Sequence, residues 1–382
     1  MHWAAITGIA VGSTLLVIVA ALCICACYEA RTEYIFSANT QNSMIKEMLV
    51  ERPYKPTLYL PTAWLKMYAW LKKKVSFTFK RETFKLSDGG QIYLDYYPSN
   101  FEDLDWPILV IIPGLNGGSG ESYVGYTALE AQKKKFRSVI YNRRGFEGIE
   151  LTGKHMLSWA RIDDFDEVLT EIRKKSPSSS NMYSIGFSMG SNYTQFYLGE
   201  KGKKGENVQI TASVTVSPPH NLAKGSHKVD ASTLVRKALL KSCMEIILVH
   251  KDSEVLKRAI EEKGLNIKEL SEVKTLRELD TKFTAKMLDL NHCDEYYNAI
   301  SGSYRIEHIS IPVLSISSRF DPVVEHRGLE TDKVMANANI FQAVINNGGH
   351  IEYPHGWSNR NWAVDVGLDY LTLVDQGKIA AL

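Results

Sequence analysis

Polar and apolar residues alternate between residues 76 and 97, and this period of two predicts the first strands of a sheet. The segment FTFKRETFKL alternates, QIYLDYY continues the alternation, and the turn between them falls at Asp88, Gly89 and Gly90. Later segments are continuously apolar, which is typical of strands that are buried on both faces of a parallel sheet. They are WPILVIIPG, FRSVIYN, NMYSIGF, ITASVTVSP, IPVLSISS and ANIFQAVIN.

Amphipathic segments lie between these apolar runs. In RIDDFDEVLTEIRKK the apolar side chains recur at helical spacing, which predicts a helix. Helices are also predicted for SYVGYTALEAQKKK, SMGSNYTQFYLGE and NWAVDVGLDYLTLVDQ. Strands that alternate with helices indicate βαβ units. The sequence therefore predicts an α/β fold whose mostly parallel sheet is covered by helices on both faces.

The pattern divides the chain into three parts. Residues 76–380 are predicted to form the main domain, and residues 29–75 a connector with short helices. Within the main domain, residues 221–305 are charged and helical in character and interrupt the strands, so we expect a helical cap at the carboxyl ends of the strands. In the connector, TAWLKMYAWLKKK at 62–74 interleaves aromatic residues with lysines. Such a run suits either a membrane interface or an amphipathic helix packed on the domain with its lysines in water.

The N-terminus is the one long apolar region. No Asp, Glu, Lys or Arg occurs from Trp3 to Tyr28, a length that exceeds the roughly 20 residues needed to span a bilayer. A secretory signal peptide is the alternative, but it would begin with basic residues, and this chain begins with Met1 and His2. Residues 1–28 are therefore predicted as a retained transmembrane anchor. Basic residues on either side are too sparse to set its topology.

The net charge and the cysteine spacing argue against some classes of partner and cofactor. The 382 residues carry a formal net charge of +2, which gives no support for a nucleic-acid partner. The five cysteines show neither zinc spacing nor a disulfide framework, and no cofactor or metal is expected. Cys23, Cys25 and Cys27 are either palmitoylation sites or small helix residues. Cys243 and Cys293 could pair with each other or remain free.

Candidate chemistry centres on Ser188 in GFSMG, which follows an apolar strand and opens a helix, as a nucleophile elbow requires. A serine needs a base, and in this arrangement the acid and the histidine follow the serine in the chain. Asp321 and His350 each follow an apolar strand, so His350 is predicted as the general base and Asp321 as the residue that orients it. His355, His292 and Asp294 are the competitors, and their positions are less suitable.

An oxyanion hole requires two N–H donors. We expect one from Met189, directly after the nucleophile, and one from Leu115 in the glycine-rich segment PGLNGGSG. This segment has neither the Walker lysine nor the GxGxxG spacing of phosphate-binding loops.

Several motifs together resemble those of the AB hydrolase 4 family, over roughly residues 60–375. They are PGLNGGSGESYV, YNRRGFEG, GFSMGSN, FTAKM with DEYYNAIS, the strand into FDP, and GGHIEYPHGW. The resemblance is to the eukaryotic single-pass branch of acylglycerol lipases, phospholipases and esterases. It implies an α/β-hydrolase fold after one transmembrane helix, a triad of Ser188, Asp321 and His350, and a type II membrane protein.

The chain departs from some family members at Pro113, where they have His, and at Phe320, where they have a second acid. The hypothesis from sequence is a serine hydrolase that cleaves carboxylic esters of lipids at a membrane. The alternative is a non-catalytic lipid or hormone receptor on the same fold. Oligomeric state is not predicted.

Overall fold

A nine-stranded sheet forms the centre of the molecule. The computed structural model describes residues 11–21, 24, 31–57, 59–71, 77–103, 105–156, 158–177, 180–357 and 360–382. Across this part of the chain the strand order is β1-β9-β8-β7-β6-β4-β5-β3-β2. The strands are β1 (Thr32–Phe36), β2 (Lys80–Lys85), β3 (Gln91–Tyr97), β4 (Ile108–Ile112), β5 (Arg137–Asn142), β6 (Met182–Phe187), β7 (Ala212–Val216), β8 (Val313–Ser318) and β9 (Ile340–Ile345). A separate two-stranded pair joins β10 (Pro354–His355) to β11 (Arg360–Asn361).

The six strands from β4 to β9 are parallel to one another. All their residues are buried, which explains why they are continuously apolar rather than alternating. The edges are antiparallel, because β2 and β3 form the predicted hairpin, β3 pairs with β5, and β1 pairs with β9. The prediction of a mostly parallel sheet is confirmed.

Helices cover both faces of this sheet. Those that precede or follow the central strands are α1 (Thr40–Glu51), α2 (Ala63–Leu71), α3 (Ser122–Lys133), α4 (Ile162–Lys174), α5 (Met189–Lys203), α13 (Thr331–Ala336) and α14 (Trp362–Asp375). Leu109 and Ile111 of β4 join a core with residues of α3 and α14. Their neighbours Ile108 and Val110 join the opposite core, with residues of α4 and α5. Alternate side chains of one strand therefore supply two hydrophobic layers.

The insertion at residues 221–305 is helical and lies in the chain between β7 and β8. Its helices are α6 (Leu222–Ala231), α7 (Thr233–Val249), α8 (Glu254–Lys263), α9 (Ile267–Leu270), α10 (Leu276–Leu279), α11 (Ala285–Met287) and α12 (Cys293–Ile300), with a π-helical turn at Asp280–Thr284. Single 3₁₀ turns occur at Phe101–Asp103, Gly302–Tyr304, Ile306–His308 and His326–Gly328. The insertion has its own small core, which includes Ile247, Leu256 and Phe283.

The sheet begins earlier in the chain than the sequence pattern indicates. Thr32–Phe36, assigned above to the connector, is edge strand β1, and the ring of Phe36 stacks on Phe341 with centroids 4.7 Å apart. Ile45 and Leu49 of α1 are buried in the core beside α14. The boundary at residue 76 is therefore wrong for the fold. The cause is that β1 has five residues and pairs with a strand more than 300 positions away, so its local pattern is weak.

The aromatic and lysine-rich run forms α2 in part. Lys66 is fully buried, and its Nζ donates to the backbone oxygen of Asn347 at 2.6 Å and to the Asn347 side-chain oxygen at 3.0 Å. The expectation that the lysines of this run lie in water is wrong for Lys66. Trp64 and Tyr68 are exposed, and Lys72, Lys73 and Lys74 lie outside the described residues.

Much of the predicted anchor, including Cys23, Cys25 and Cys27, lies outside the described residues; within it, residues 11–21 are helical and exposed. Of the helices that are described, none is both long and apolar enough to cross a membrane. Cys243 and Cys293 are free thiols.

Arg144, the second residue after β5, connects three elements. Its guanidinium binds Asp164 of α4 at 2.5 and 2.8 Å and Asp88 of the β2–β3 turn at 2.8 and 2.9 Å. The side chains of Arg144 and Asp164 are 3% and 4% exposed. A buried charge network of this kind is costly to break, because each remaining charge loses its partner.

We therefore expect Arg144→Met to lower the free energy of unfolding by about 3–5 kcal/mol. Asp88 and Asp164 would both lose the guanidinium that binds them closely, and Asp164 would keep only Arg161, whose Nε is 3.7 Å away. Urea unfolding measures the effect, with Arg52→Met as the control, since the Arg52 side chain is 57% exposed and its ion pair with Asp369 is worth at most about 1 kcal/mol. Equal losses in the two variants would contradict this account of Arg144.

Candidate active site

Ser188 lies at a sharp turn between β6 and α5. Its backbone has φ 50° and ψ −119°, a strained conformation for a residue other than glycine. A Cβ at Gly190 would collide with the carbonyl oxygens of Ile112 and Pro113, and a Cβ at Gly186 would lie 2.7 Å from the oxygen of Gly190. The two glycines of GFSMG are therefore required by close backbone approach, and they leave the Ser188 hydroxyl at the carboxyl edge of the sheet.

The structure brings Ser188, His350 and Asp321 together. His350 Nε2 lies 3.0 Å from Ser188 Oγ, and His350 Nδ1 lies 2.9 Å from Asp321 Oδ2. Asp321 is 1% exposed, and its other oxygen accepts the backbone N–H groups of Val323 and Val324 at 2.7 and 2.9 Å. A carboxylate only accepts hydrogen bonds, so Nδ1 carries the proton and Nε2 is free to accept the Ser188 proton.

Two lysines that the sequence analysis did not identify as site residues hold the loops of this site. Lys228 of α6 donates to the backbone oxygens of Asp321 and Val324 at 2.7 and 2.9 Å. Lys66 binds Asn347, three residues before His350. The hydroxyl of Ser217 accepts the N–H of Ile351 at 3.2 Å and lies 3.0 Å from Tyr353 Oη. No sequence motif marks these residues, because each contacts a loop that is far away in the chain.

Met189 and Leu115 lie beside Ser188 in the lining of the same cavity. Met189 is the first residue of α5, where backbone N–H groups have no partner within the helix. Gly114, next to Leu115, is so close that a Cβ there would lie 3.3 Å from Ser188 Cβ. Asn116 donates to Ser242 and Cys243 of α7 at 3.0 and 3.3 Å, which ties the glycine-rich loop to the insertion.

The cavity above Ser188 has a volume of about 1000 Å³. The insertion contributes many apolar lining residues, among them Val235, Leu239, Ile247 and Phe283. A space of this size is at the upper end for small-molecule sites and has room for an acyl chain.

Two acidic residues, Glu121 and Glu352, line the cavity together with His350. Burial raises the pKa of Glu352 well above its ordinary value, and nearby Glu121 and Asp321 add to the effect. Burial also raises the pKa of Glu121. Both residues line the cavity, so part of its wall consists of carboxyl groups whose pKa values are raised by burial.

The competing residues lie elsewhere. His355 accepts the N–H of Lys55 through Nδ1 at 3.1 Å, on the β10–β11 pair. His292 caps α12 by accepting the N–H of Asp294, and Asp294 pairs with Arg277. His292, Cys293 and Asp294 are near enough to one another to share a metal ion, the one such group in the described part of the chain. Their contacts are those of a helix cap, and none of the three lines the cavity.

Comparisons with known proteins agree with this architecture. No family model matches the chain. The human phospholipase ABHD3 is 26% identical over 329 residues, which are 82% of this chain and 78% of that protein. The embryogenesis-associated protein EMB8 of Picea glauca is 28% identical over 318 residues, 78% of this chain and 67% of its own length. A monoacylglycerol lipase of Saccharomyces cerevisiae is 26% identical over 261 residues, 67% of this chain and 57% of that protein.

Among solved structures, the α/β hydrolase GrgF from Penicillium superposes with a TM-score of 0.51 at 13% identity. The match covers 78% of this chain and 98% of GrgF, and at this identity it shows the fold. The sheet order, the elbow at Ser188 and these comparisons lead to one conclusion: the chain has the α/β-hydrolase fold, and the relatives named phospholipase ABHD3 and monoacylglycerol lipase support its resemblance to the AB hydrolase 4 family.

Proposed function

We propose that this protein is a serine hydrolase that cleaves carboxylic esters of lipids. The observation that carries the proposal is the chain of hydrogen-bond distances from Ser188 Oγ through His350 to the buried carboxylate of Asp321. It lies at the wall of a large, mainly apolar cavity. Relatives named phospholipase and monoacylglycerol lipase support a lipid ester as the substrate.

In this mechanism, His350 Nε2 takes the Ser188 proton as Oγ attacks the ester carbonyl carbon. The N–H groups of Met189 and Leu115 stabilise the negative charge on the carbonyl oxygen. His350 then gives its proton to the leaving alcohol, and an acyl group remains on Ser188. A water molecule, activated by the same imidazole, releases the fatty acid and restores the serine. Asp321 stabilises the imidazolium at each stage. The reaction as proposed uses no cofactor.

We also propose that the enzyme works at a membrane, with residues 1–28 as a single-pass anchor of type II topology. Exposed aromatic side chains in and near α2 support this proposal. Trp64 and Tyr68 are exposed, and Tyr59 stacks on the exposed Trp357 with ring centroids 5.8 Å apart. Such rings favour the interface between lipid and water. Met67 of the same helix lines the cavity, so this surface adjoins the lipid-binding space.

The test is reaction of the full chain with a fluorophosphonate probe, followed by peptide mass spectrometry. We expect one stoichiometric adduct on Ser188 and complete loss of hydrolysis of a short-chain diacylglycerol, because the probe occupies the nucleophile and the oxyanion site. A protein that binds lipid but neither reacts with the probe nor hydrolyses any ester would overturn the proposal and favour the receptor alternative.

A further inference from the structure

Arg143, which follows β5 directly, is a buried cation in the wall of the cavity. The residue as a whole is 7% exposed. The guanidinium carbon lies 3.4 Å from the ring centre of Trp159 and 4.4 Å from that of Phe146. Arg143, Trp159 and Phe146 all line the cavity that contains Ser188. The aromatic rings therefore hold the plane of the guanidinium, and its N–H groups are left to donate hydrogen bonds to a ligand.

The part of the chain that the structure describes supplies no counterion for this charge. Among the described residues, no carboxylate oxygen lies within 4.0 Å of the Arg143 guanidinium, and it donates no hydrogen bond; Arg144 beside it has two carboxylates. Asp280 lines the same cavity, but its two oxygens are held by Tyr297 and Thr284 at 2.6 and 2.7 Å. Burial lowers the pKa of Arg143 to about 10, which still leaves it charged at neutral pH.

A buried charge without a partner is costly, and stacking on aromatic rings offsets only part of the cost. A ligand that brings an anion would complete the site. The rigid fork of a guanidinium matches the paired oxygens of a phosphate group, and the pairing is stronger in a cavity that excludes water.

The sheet sets the distance between this cation and the nucleophile. Strands β5 and β6 flank β4 on its two sides, and Arg143 and Ser188 each follow the last residue of their strand. With neighbouring strands about 4.8 Å apart, the two backbones are about 10 Å apart at this edge. Both residues line the same cavity, so one substrate molecule within it can contact the guanidinium and the hydroxyl together.

We propose that Arg143 binds the phosphate of a glycerophospholipid whose acyl ester reaches Ser188, and so determines which lipid class is cleaved. This inference rests on the proposed ester hydrolase function and names its substrate class. Arg143 contacts the substrate and takes no part in proton transfer.

The experiment compares two substrates with identical acyl chains in the full-length protein, both used below their aggregation concentrations. One is dihexanoyl phosphatidylmethanol, whose head group adds only a phosphodiester, and the other is dihexanoylglycerol. We expect Arg143→Met to lower kcat/KM for the phospholipid about 100-fold and for the neutral lipid less than threefold. Arg143→Lys should lose about tenfold on the phospholipid, because it keeps the charge without the planar fork.

Arg258→Met is the control. Arg258 is an exposed arginine of the insertion that does not line the cavity, and its guanidinium donates to the backbone oxygens of Gly153 and Lys154 at 3.0 and 3.2 Å. We expect its ratio of phospholipid to neutral-lipid activity to equal that of the wild type.

Equal losses on both lipids in Arg143→Met, or no loss on the phospholipid, would overturn the inference, since Arg143 would then only support the cavity wall. If Arg143→Met does not fold, the Arg143→Lys ratio decides alone, and an unchanged ratio overturns the inference. A wild type that cleaves neither lipid and does not react with the fluorophosphonate contradicts the proposed function itself. A wild type that cleaves only the neutral lipid overturns the phosphate site and leaves the ester hydrolase function intact.

Discussion

Ser188→Ala is expected to lower kcat for lipid ester hydrolysis by about 10⁶-fold. The methyl group cannot attack the carbonyl carbon, and no acyl group is then carried by the protein. The alanine side chain fits the space of the serine, and the hydroxyl makes its hydrogen bond to His350 rather than to the core. Unfolding by urea and lipid binding should therefore match the wild type.

The rate is measured in single turnover with dihexanoylglycerol, where an acyl-enzyme is also trapped in the wild type and is absent in the variant. Ser271→Ala serves as the control, because Ser271 is an exposed residue of the insertion whose hydroxyl caps a local turn through Lys268. Retention of even a tenth of the wild-type rate in Ser188→Ala would mean that another group is the nucleophile.

Asp321→Asn is expected to lower kcat by about 10⁴-fold with little change in stability. The amide retains an oxygen that accepts the N–H groups of Val323 and Val324. Its nitrogen, however, would donate to His350 Nδ1 and shift the imidazole proton to Nε2. That tautomer cannot accept the Ser188 proton, and the imidazolium loses its adjacent charge.

The measurement is kcat as a function of pH. We expect the loss to shrink at high pH, where hydroxide ion removes the serine proton without the imidazole. Lys228 holds the same loop through backbone oxygens alone, so Lys228→Met tests the loop without changing the tautomer, and a much smaller loss is expected. A loss below tenfold in Asp321→Asn would show that Asp321 does not orient the base.

The positions of Ser188, Asp321 and His350 could be predicted because each follows an apolar run that forms a parallel strand. Strands β6, β8 and β9 end before these residues, and parallel strands present their carboxyl ends at one edge. Which side chains touch could not be read from order alone. The 2.9 Å approach of His350 to Asp321 depends on loop contacts such as those of Lys66 and Lys228.

Arg143 and Arg144 also show that side-chain contacts cannot be read from the sequence. Arg143 and Arg144 look alike in YNRRGFEG, yet Arg144 is paired with two carboxylates and Arg143 has aromatic faces and an open cavity. The two side chains therefore contact different groups, although they are adjacent in the chain. No periodicity in the sequence carries that information.

By itself, the sequence determined the α/β class, the parallel strands and the elbow at Ser188, because these depend on short-range hydrophobic patterns and on local backbone geometry. Only the tertiary structure decided the membership of β1 in the sheet, the burial of Lys66, and the lack of a carboxylate partner for Arg143 among the described residues. Each of these depends on a partner that is distant in the chain or missing, as for Lys66 and Asn347, 281 positions apart. The free energy of a buried charge is set by the groups that surround it in space, and a linear pattern does not specify those groups.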